Sequence, residues 1–184
     1  YLGEVVMADL RGCCLIAALT PGNAEQMRLI RNACRLFMTM DQHEITPDEQ
    51  RHWFTRLDRQ RVRPWLYMLP GDGDDPWRMA RYPGYGLCRQ LEATDLGRTT
   101  PAGLTWWISG GLLPEFRGQG HGRRLFGLLA DDVNKSGQIC YLEVLADNAP
   151  AIATYRSLGF EDISGPTDLV RKVMRRLPAP SSKP

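Results

Sequence analysis

The feature that most constrains this chain is Leu112-Leu113-Pro114-Glu115-Phe116-Arg117-Gly118-Gln119-Gly120-His121-Gly122-Arg123-Arg124. It joins an apolar, strand-like run (Leu104 to Leu113) to an amphipathic, helix-like run (Arg123 to Asn134). Gly118, Gly120 and Gly122 stand at alternate positions, so the backbone N–H groups of the turn are unshielded by side chains. They open onto a helix N-terminus, where unpaired donors and the positive dipole end favour an anion. Arg117, Arg123 and Arg124 add positive charge. The residue types predict a phosphate cradle between a strand and a helix.

Two familiar cradles are excluded or disfavoured. No Gly-x-x-x-x-Gly-Lys-Ser/Thr of a P-loop exists in the chain. A dinucleotide fingerprint is closer, with Gly118-x-Gly120 and an acidic Glu143 about twenty residues on. Its third glycine falls on Arg123, however, and no βαβ repeat precedes the stretch.

The remaining composition narrows the setting. At 184 residues the chain suits one domain with a sizeable core. A formal net charge of +2 argues for neither nucleic acid nor an anionic membrane. No apolar run approaches the roughly twenty residues of a membrane span, and no signal-peptide pattern opens the sequence. Cys13, Cys14, Cys34, Cys88 and Cys140 are odd in number and lack Cys-x-x-Cys spacing. They read as reduced, packed thiols suited to a cytoplasm. His43, His52 and His121 pair with no cysteine at ligand spacing, so no metal site is expected.

In chain order, residues 1–12 lack periodicity and read as a loose arm, followed by a single domain over 13–177. Cys14 to Leu19 predicts a strand. Thr20-Pro21 opens a helix with the stripe Met27, Ile30, Cys34 and Phe37. Met38 to Ile45 breaks that pattern, and Thr46 with Glu49 forms a capping box for a second helix with an apolar face of Trp53, Phe54 and Leu57. Arg56, Arg59, Arg61 and Arg63 make a basic rim near its end. Trp65 to Leu69 and Gly84 to Glu92 predict strands, with turns at 71–76 and 95–103. Leu104 to Leu113 predicts another strand, interrupted at Gly110-Gly111, where glycine marks a bulge or a close backbone approach. Ile139 to Leu145 predicts a central strand. Asn148 with Pro150 predicts a helix start, and Gly159 its end. Leu169 to Leu177 fits a helical period, and 178–184 reads as a disordered tail.

Two motifs carry a resemblance. Arg117-x-x-Gly120-x-Gly122 resembles the pyrophosphate motif of the GNAT superfamily of acetyl-CoA-dependent N-acetyltransferases. Glu143 on a strand, then Asn148, Ala151 and Tyr155 on a helix, then Gly159-Phe160, resembles that family's second motif. In detail this second motif is similar to ribosomal-protein N-terminal acetyltransferases. Both motifs stand in the family's order within residues 104–162.

The resemblance implies an α/β fold: a mixed, mostly antiparallel seven-stranded sheet flanked by helices, with two central parallel strands splayed around acetyl-CoA. It would also make Leu169 to Leu177 a strand. Acetyl-CoA, as co-substrate, would take Leu112, Leu113, Arg117, Gly118, Gln119, Gly120, His121, Gly122, Arg123, Asn148 and Tyr155. His121 itself reads as a solvent-facing turn residue. Tyr155 would protonate the departing thiolate. The family's frequent base, a glutamate on the strand before the turn, is replaced by Trp106. The resemblance to ribosomal-protein N-terminal acetyltransferases implies Glu143 as the substitute base. A carboxylate buried on a central strand is costly unless paired or hydrogen-bonded, and burial would raise it toward a useful range. Asp41, His43 and Glu44 compete for that role and would border the acceptor.

The expected activity is acetyl transfer from acetyl-CoA to a primary amine of a small molecule, an amino sugar or a peptide N-terminus. The expected enzyme is a cytoplasmic monomer or homodimer without nucleic-acid or membrane partners. Arg56 to Arg63 favours an acceptor carrying negative charge. A non-catalytic acyl-CoA sensor on the same fold and a nicotinamide oxidoreductase are the rival readings.

Overall fold

The computed structural model describes residues 5–8, 14–17, 20–39, 41–71, 81–91, 105–166 and 168–179. Eight strands among them form one sheet: β1 (Val5–Ala8), β2 (Cys14–Ala17), β3 (Val62–Leu69), β4 (Arg81–Leu91), β5 (Thr105–Leu112), β6 (Cys140–Leu145), β7 (Glu161–Asp162) and β8 (Arg171–Arg176). Their order is β1-β2-β3-β4-β5-β6-β8-β7, antiparallel throughout except for the parallel pair β5–β6. The expected count of seven is therefore exceeded by one. The eighth strand is β1, inside the expected loose arm and antiparallel to β2. Four residues cannot display a period, and only the partner strand reveals them.

Side chains alternate cleanly between the two faces. Trp65, Tyr67, Cys88, Trp106, Ile108, Leu142 and Val144 join a core with helices α3 (His121–Asn134) and α4 (Ala149–Ser157). Leu125 and Leu129 of α3 are fully buried there, each burial contributing about 2 kcal/mol. On the other face Leu66, Met68 and Tyr85 pack against Met27, Ile30 and Cys34, which belong to or end helix α1 (Pro21–Ala33). Trp107, Tyr141 and Val173 form a third cluster further along this second face.

The helix starts follow their capping chemistry. Thr20 Oγ1 accepts from Asn23 N at 3.1 Å. Thr46 and Glu49 close the capping box of α2 (Pro47–Thr55). The buried residue of α2 is Gln50, whose amide donates to Ala24 O at 3.0 Å. Trp53 and Phe54 are only half-buried, and Leu57 lies beyond the helix, so the expected apolar face is weaker than its sequence. Phe37 leaves the α1 stripe. After Ala33 the chain tightens into a 3-10 turn, Arg35–Phe37, whose three-residue repeat rotates Phe37 outward to 52% exposure.

Residues 171–176 are a strand, against the helical period and as the resemblance implied. Val173 and Met174 are buried, while Leu169, Val170 and Leu177 are exposed. Three apolar residues outside the core had mimicked a helical stripe. β5 runs uninterrupted through Gly110-Gly111. Gly111 serves a close approach, since a Cβ there would lie 2.9 Å from Cys34 Cβ and Sγ. The expected loop at 95–103, most of the 71–76 turn and residues 180–184 of the tail lie outside the described residues. Among the described residues no helix is long and apolar enough to cross a membrane.

Candidate active site

β5 and β6 pair only at Trp106↔Cys140 and Trp107↔Tyr141. Beyond that point β5 continues to Leu112 and β6 to Leu145, held on their outer sides by β4 and β8. The strands splay, and a cleft of about 700 Å³ opens between them. Ile108 to Leu112 form one wall and Glu143 and Val144 the other.

The glycine turn closes one end of the cleft. Gly118 (φ 72°) and Gly120 (φ 80°) are both left-handed, a conformation costly for any residue with a Cβ. Gly120 is the N-cap of α3 and offers no side chain to the helix. Its carbonyl accepts Arg124 N at 3.3 Å, and the preceding first-turn N–H groups have no intrahelical acceptors. Gly118, Gly120, Gly122 and Arg123 line the cleft, with Leu112 at the end of β5. An unpaired strand edge leading to uncapped helix donors fits an extended pantetheine arm ending in a diphosphate.

Arg117 also lines the cleft, but its guanidinium is already engaged. Nε donates to Leu112 O at 3.1 Å, Nη2 lies 4.0 Å from Cys34 Sγ, and the group stacks 4.3 Å from the Phe37 ring centroid. It fastens the turn to β5 and to the end of α1. Three expected donor residues lie outside the lining. Leu113 packs on the α1-side core and donates its N–H to Pro83 O. Gln119 is exposed and bonds Glu115 O at 2.7 Å. His121 is buried, contrary to its expected solvent-facing position. Its Nδ1 lies 3.0 Å from Tyr67 Oη, and its ring meets Phe116 edge-on. As the first residue of α3 it points its ring inward.

Tyr155 and Asn148 enter from α4. Asn148 Oδ1 accepts Ala151 N at 3.3 Å, capping the helix at the cleft. Tyr155 is 7% exposed, set edge-on to Phe126 at 4.9 Å and Phe160 at 6.1 Å. Burial pushes its phenol well above the ordinary tyrosine range, so it holds its proton at neutral pH. Glu143, the one carboxylate among the lining residues, comes from the opposite face of the sheet. Its side chain is 8% exposed, and Arg171 Nη1 lies 3.3 Å from Oε1. An ion pair offsets the desolvation that the sequence reading had set against Glu143. Trp106 does not line the cleft: it is a core residue at the parallel pairing, beneath the Arg63 guanidinium. The β5 residues that do face the opening carry no carboxylate.

The structure does not bring Asp41, His43 and Glu44 to the cleft lining. All three are exposed on the connection between α1 and α2. Asp41 takes a side-chain bond from His43 Nδ1 at 2.5 Å, which holds its carboxyl below the usual range. The connection is stapled to α1 through its backbone: Arg31 donates to the carbonyls of Asp41 and His43, and the Asn32 amide pairs with Ile45 N and O. Phe37, Met38 and Thr39 form the cleft wall instead. The break in the helical stripe after Phe37, at Met38, was the sequence sign of them.

The comparisons with known proteins agree with this geometry. The family model described as Acetyltransferase (GNAT) family matches residues 30–160. An N-alpha-acetyltransferase, RimI, of Mycobacterium tuberculosis is 33% identical over 144 residues, covering 68% of this chain and 84% of that protein. An uncharacterized protein of Mycobacterium leprae is 41% identical over 107 residues, but the match spans 50% of this chain and only 29% of that longer protein. Among solved structures, a ribosomal-protein-alanine N-acetyltransferase from Brucella melitensis superposes with a TM-score of 0.64 at 16% identity, covering 89% of this chain and 98% of its own. With its splayed parallel strands, glycine turn and matching model, the chain belongs to the GNAT family of acetyltransferases, whose acetyl donor is acetyl-CoA.

Proposed function

We propose that this protein transfers acetyl from acetyl-CoA to the α-amine at the N-terminus of a protein, with Glu143 as general base and Tyr155 as general acid. The observation that carries the reading is their placement. Glu143 reaches the β5–β6 opening from the α1 face and Tyr155 from the α3–α4 face, and both line one cleft. The name of the M. tuberculosis relative, 84% of which is covered, supports an α-amine over a side-chain or sugar amine.

Leu112, Gly118, Gly120, Gly122, Arg123 and Asn148 would hold the donor, with Arg117 fixing the turn. The bound thioester supplies the activated acyl group. Glu143, directly or through a water, takes a proton from the acceptor ammonium so that a neutral amine meets the acyl carbon. Tyr155 gives a proton to the departing sulfur from the other face. Phe37, Met38 and Thr39 would flank the acceptor. The buried, reduced thiols of Cys34, Cys88 and Cys140 suit a cytoplasmic setting.

A panel of peptides differing only in a free or blocked N-terminus, read by release of free CoA and by the mass of the product, tests the acceptor. Release that depends on a free α-amine is expected; equal release from blocked peptides bearing lysine overturns it. Glu143→Gln and Tyr155→Phe should each slow turnover about a hundredfold to ten-thousandfold. Parental turnover in either variant removes that residue from its role.

A further inference from the structure

We infer that Arg171 is a positioning residue that holds the Glu143 carboxylate in its working orientation at the mouth of the cleft. The inference rests on the reading of Glu143 as the base. Glu143 pairs across the β6–β8 ladder with Val173, and Leu145 pairs with Arg171. Arg171 is thus the diagonal neighbour of Glu143 on the same face, within reach of a long side chain. The backbone there is pinned by Ala146 N donating to Val170 O at 2.9 Å. From this anchored start of β8, Nη1 reaches Oε1 at 3.3 Å.

The pair is asymmetric in a way that suits the role. The Glu143 side chain is 8% exposed and the Arg171 side chain 32%. The carboxylate is nearly buried beside the cleft, while the cation keeps part of its hydration. The contact at Oε1 restricts the rotation of the carboxylate. Arg171 also has no place in the cleft lining. It therefore acts through Glu143.

Activity of Arg171→Met, Arg171→Lys, Glu143→Gln and the double variant Arg171→Met/Glu143→Gln, measured beside acetyl-CoA affinity by calorimetry, tests this. Arg171→Met should lower kcat about tenfold to a hundredfold, the scale of a misplaced group, with acetyl-CoA affinity unchanged. Arg171→Lys should recover most of the loss. The double variant should be no slower than Glu143→Gln alone, because the positioned group is gone. It removes both charges of the pair and so stays informative where Arg171→Met, which strands a buried carboxylate, folds poorly. Parental kcat in Arg171→Met, or a double variant slower than Glu143→Gln by the full Arg171→Met factor, overturns the positioning role while leaving the base intact. Parental kcat in Glu143→Gln overturns the base reading itself, and Arg171 with it.

Discussion

The glycine turn and the α1–α2 connection border the same cleft but are built on opposite plans. In the turn the backbone is the exposed surface: Gly118 and Gly120 hold left-handed angles, and the N–H groups of the first helical turn would be the donors to a bound phosphate. In the connection the backbone is consumed, its carbonyls at Asp41, His43 and Ile45 taken by Arg31, Arg28 and Asn32. What it offers the cleft is side chains, from Phe37 to Thr39. A site made of backbone demands particular residues at particular spacings and leaves a motif. A site made of side chains can be lined in many ways, and this one left none.

That contrast can be broken first at the turn. Gly120→Val places a β-branched residue at φ 80° and should weaken acetyl-CoA binding at least tenfold, about 1.4 kcal/mol. Because the strain is paid in the folded state, the melting temperature should fall as well. Unaltered affinity by calorimetry would show that the donor is held elsewhere.

A smaller effect is expected at the wall. Met38→Ala should raise the acceptor KM severalfold, roughly 1 kcal/mol of lost apolar contact, with acetyl-CoA affinity preserved. Replacing His43 and Glu44 together by Ala should do less, since neither lines the cleft. A double variant at His43 and Glu44 that outweighs Met38→Ala in acceptor kinetics would return the acceptor to the exposed connection.

The smallest effect belongs to a control outside both regions. Burial works against the charge of Asp162, but bonds from Lys172 and Ser164 outweigh it and hold its carboxyl at about 2. A depressed carboxyl contributes stability that is present above its unfolded value near 3.9 and is lost as pH falls through about 2. Asp162→Asn should therefore be less stable than the parent at pH 7 by a few tenths of a kcal/mol, after screening at this exposed position, and equal to it near pH 2. A stability gap that persists at pH 2 would assign the effect to packing.

Legibility in the sequence followed the same division. The turn, the capping box at Thr46, the cap at Asn148, and the placing of Glu143 on a strand and Tyr155 on the next helix could be read because each depends on residues near one another in the chain. β8 was misread by period because Leu169, Val170 and Leu177 are apolar without being buried. Phe37 was assigned to the core because nothing local announces where α1 tightens. His121 looked exposed because its partner, Tyr67, is 54 residues away. Arg171 escaped notice for the same reason, its value being set by a ladder register that no single segment contains.

The two residue pairs that join β5 to β6 have a mechanical consequence. They divide the sheet into a five-strand leaf and a three-strand leaf that share almost no ladder. On one side a continuous core under α3 and α4 crosses the division. On the other side the Trp107–Tyr141–Val173 cluster also crosses it, at the paired end of the strands, while the α1 cluster packs on the five-strand leaf. The leaves are thus joined at the paired end and part toward the cleft, with α3 and α4 packed beneath them. A donor laid along β5 would act as a stitch across that seam, making the enzyme stiffest when it is loaded.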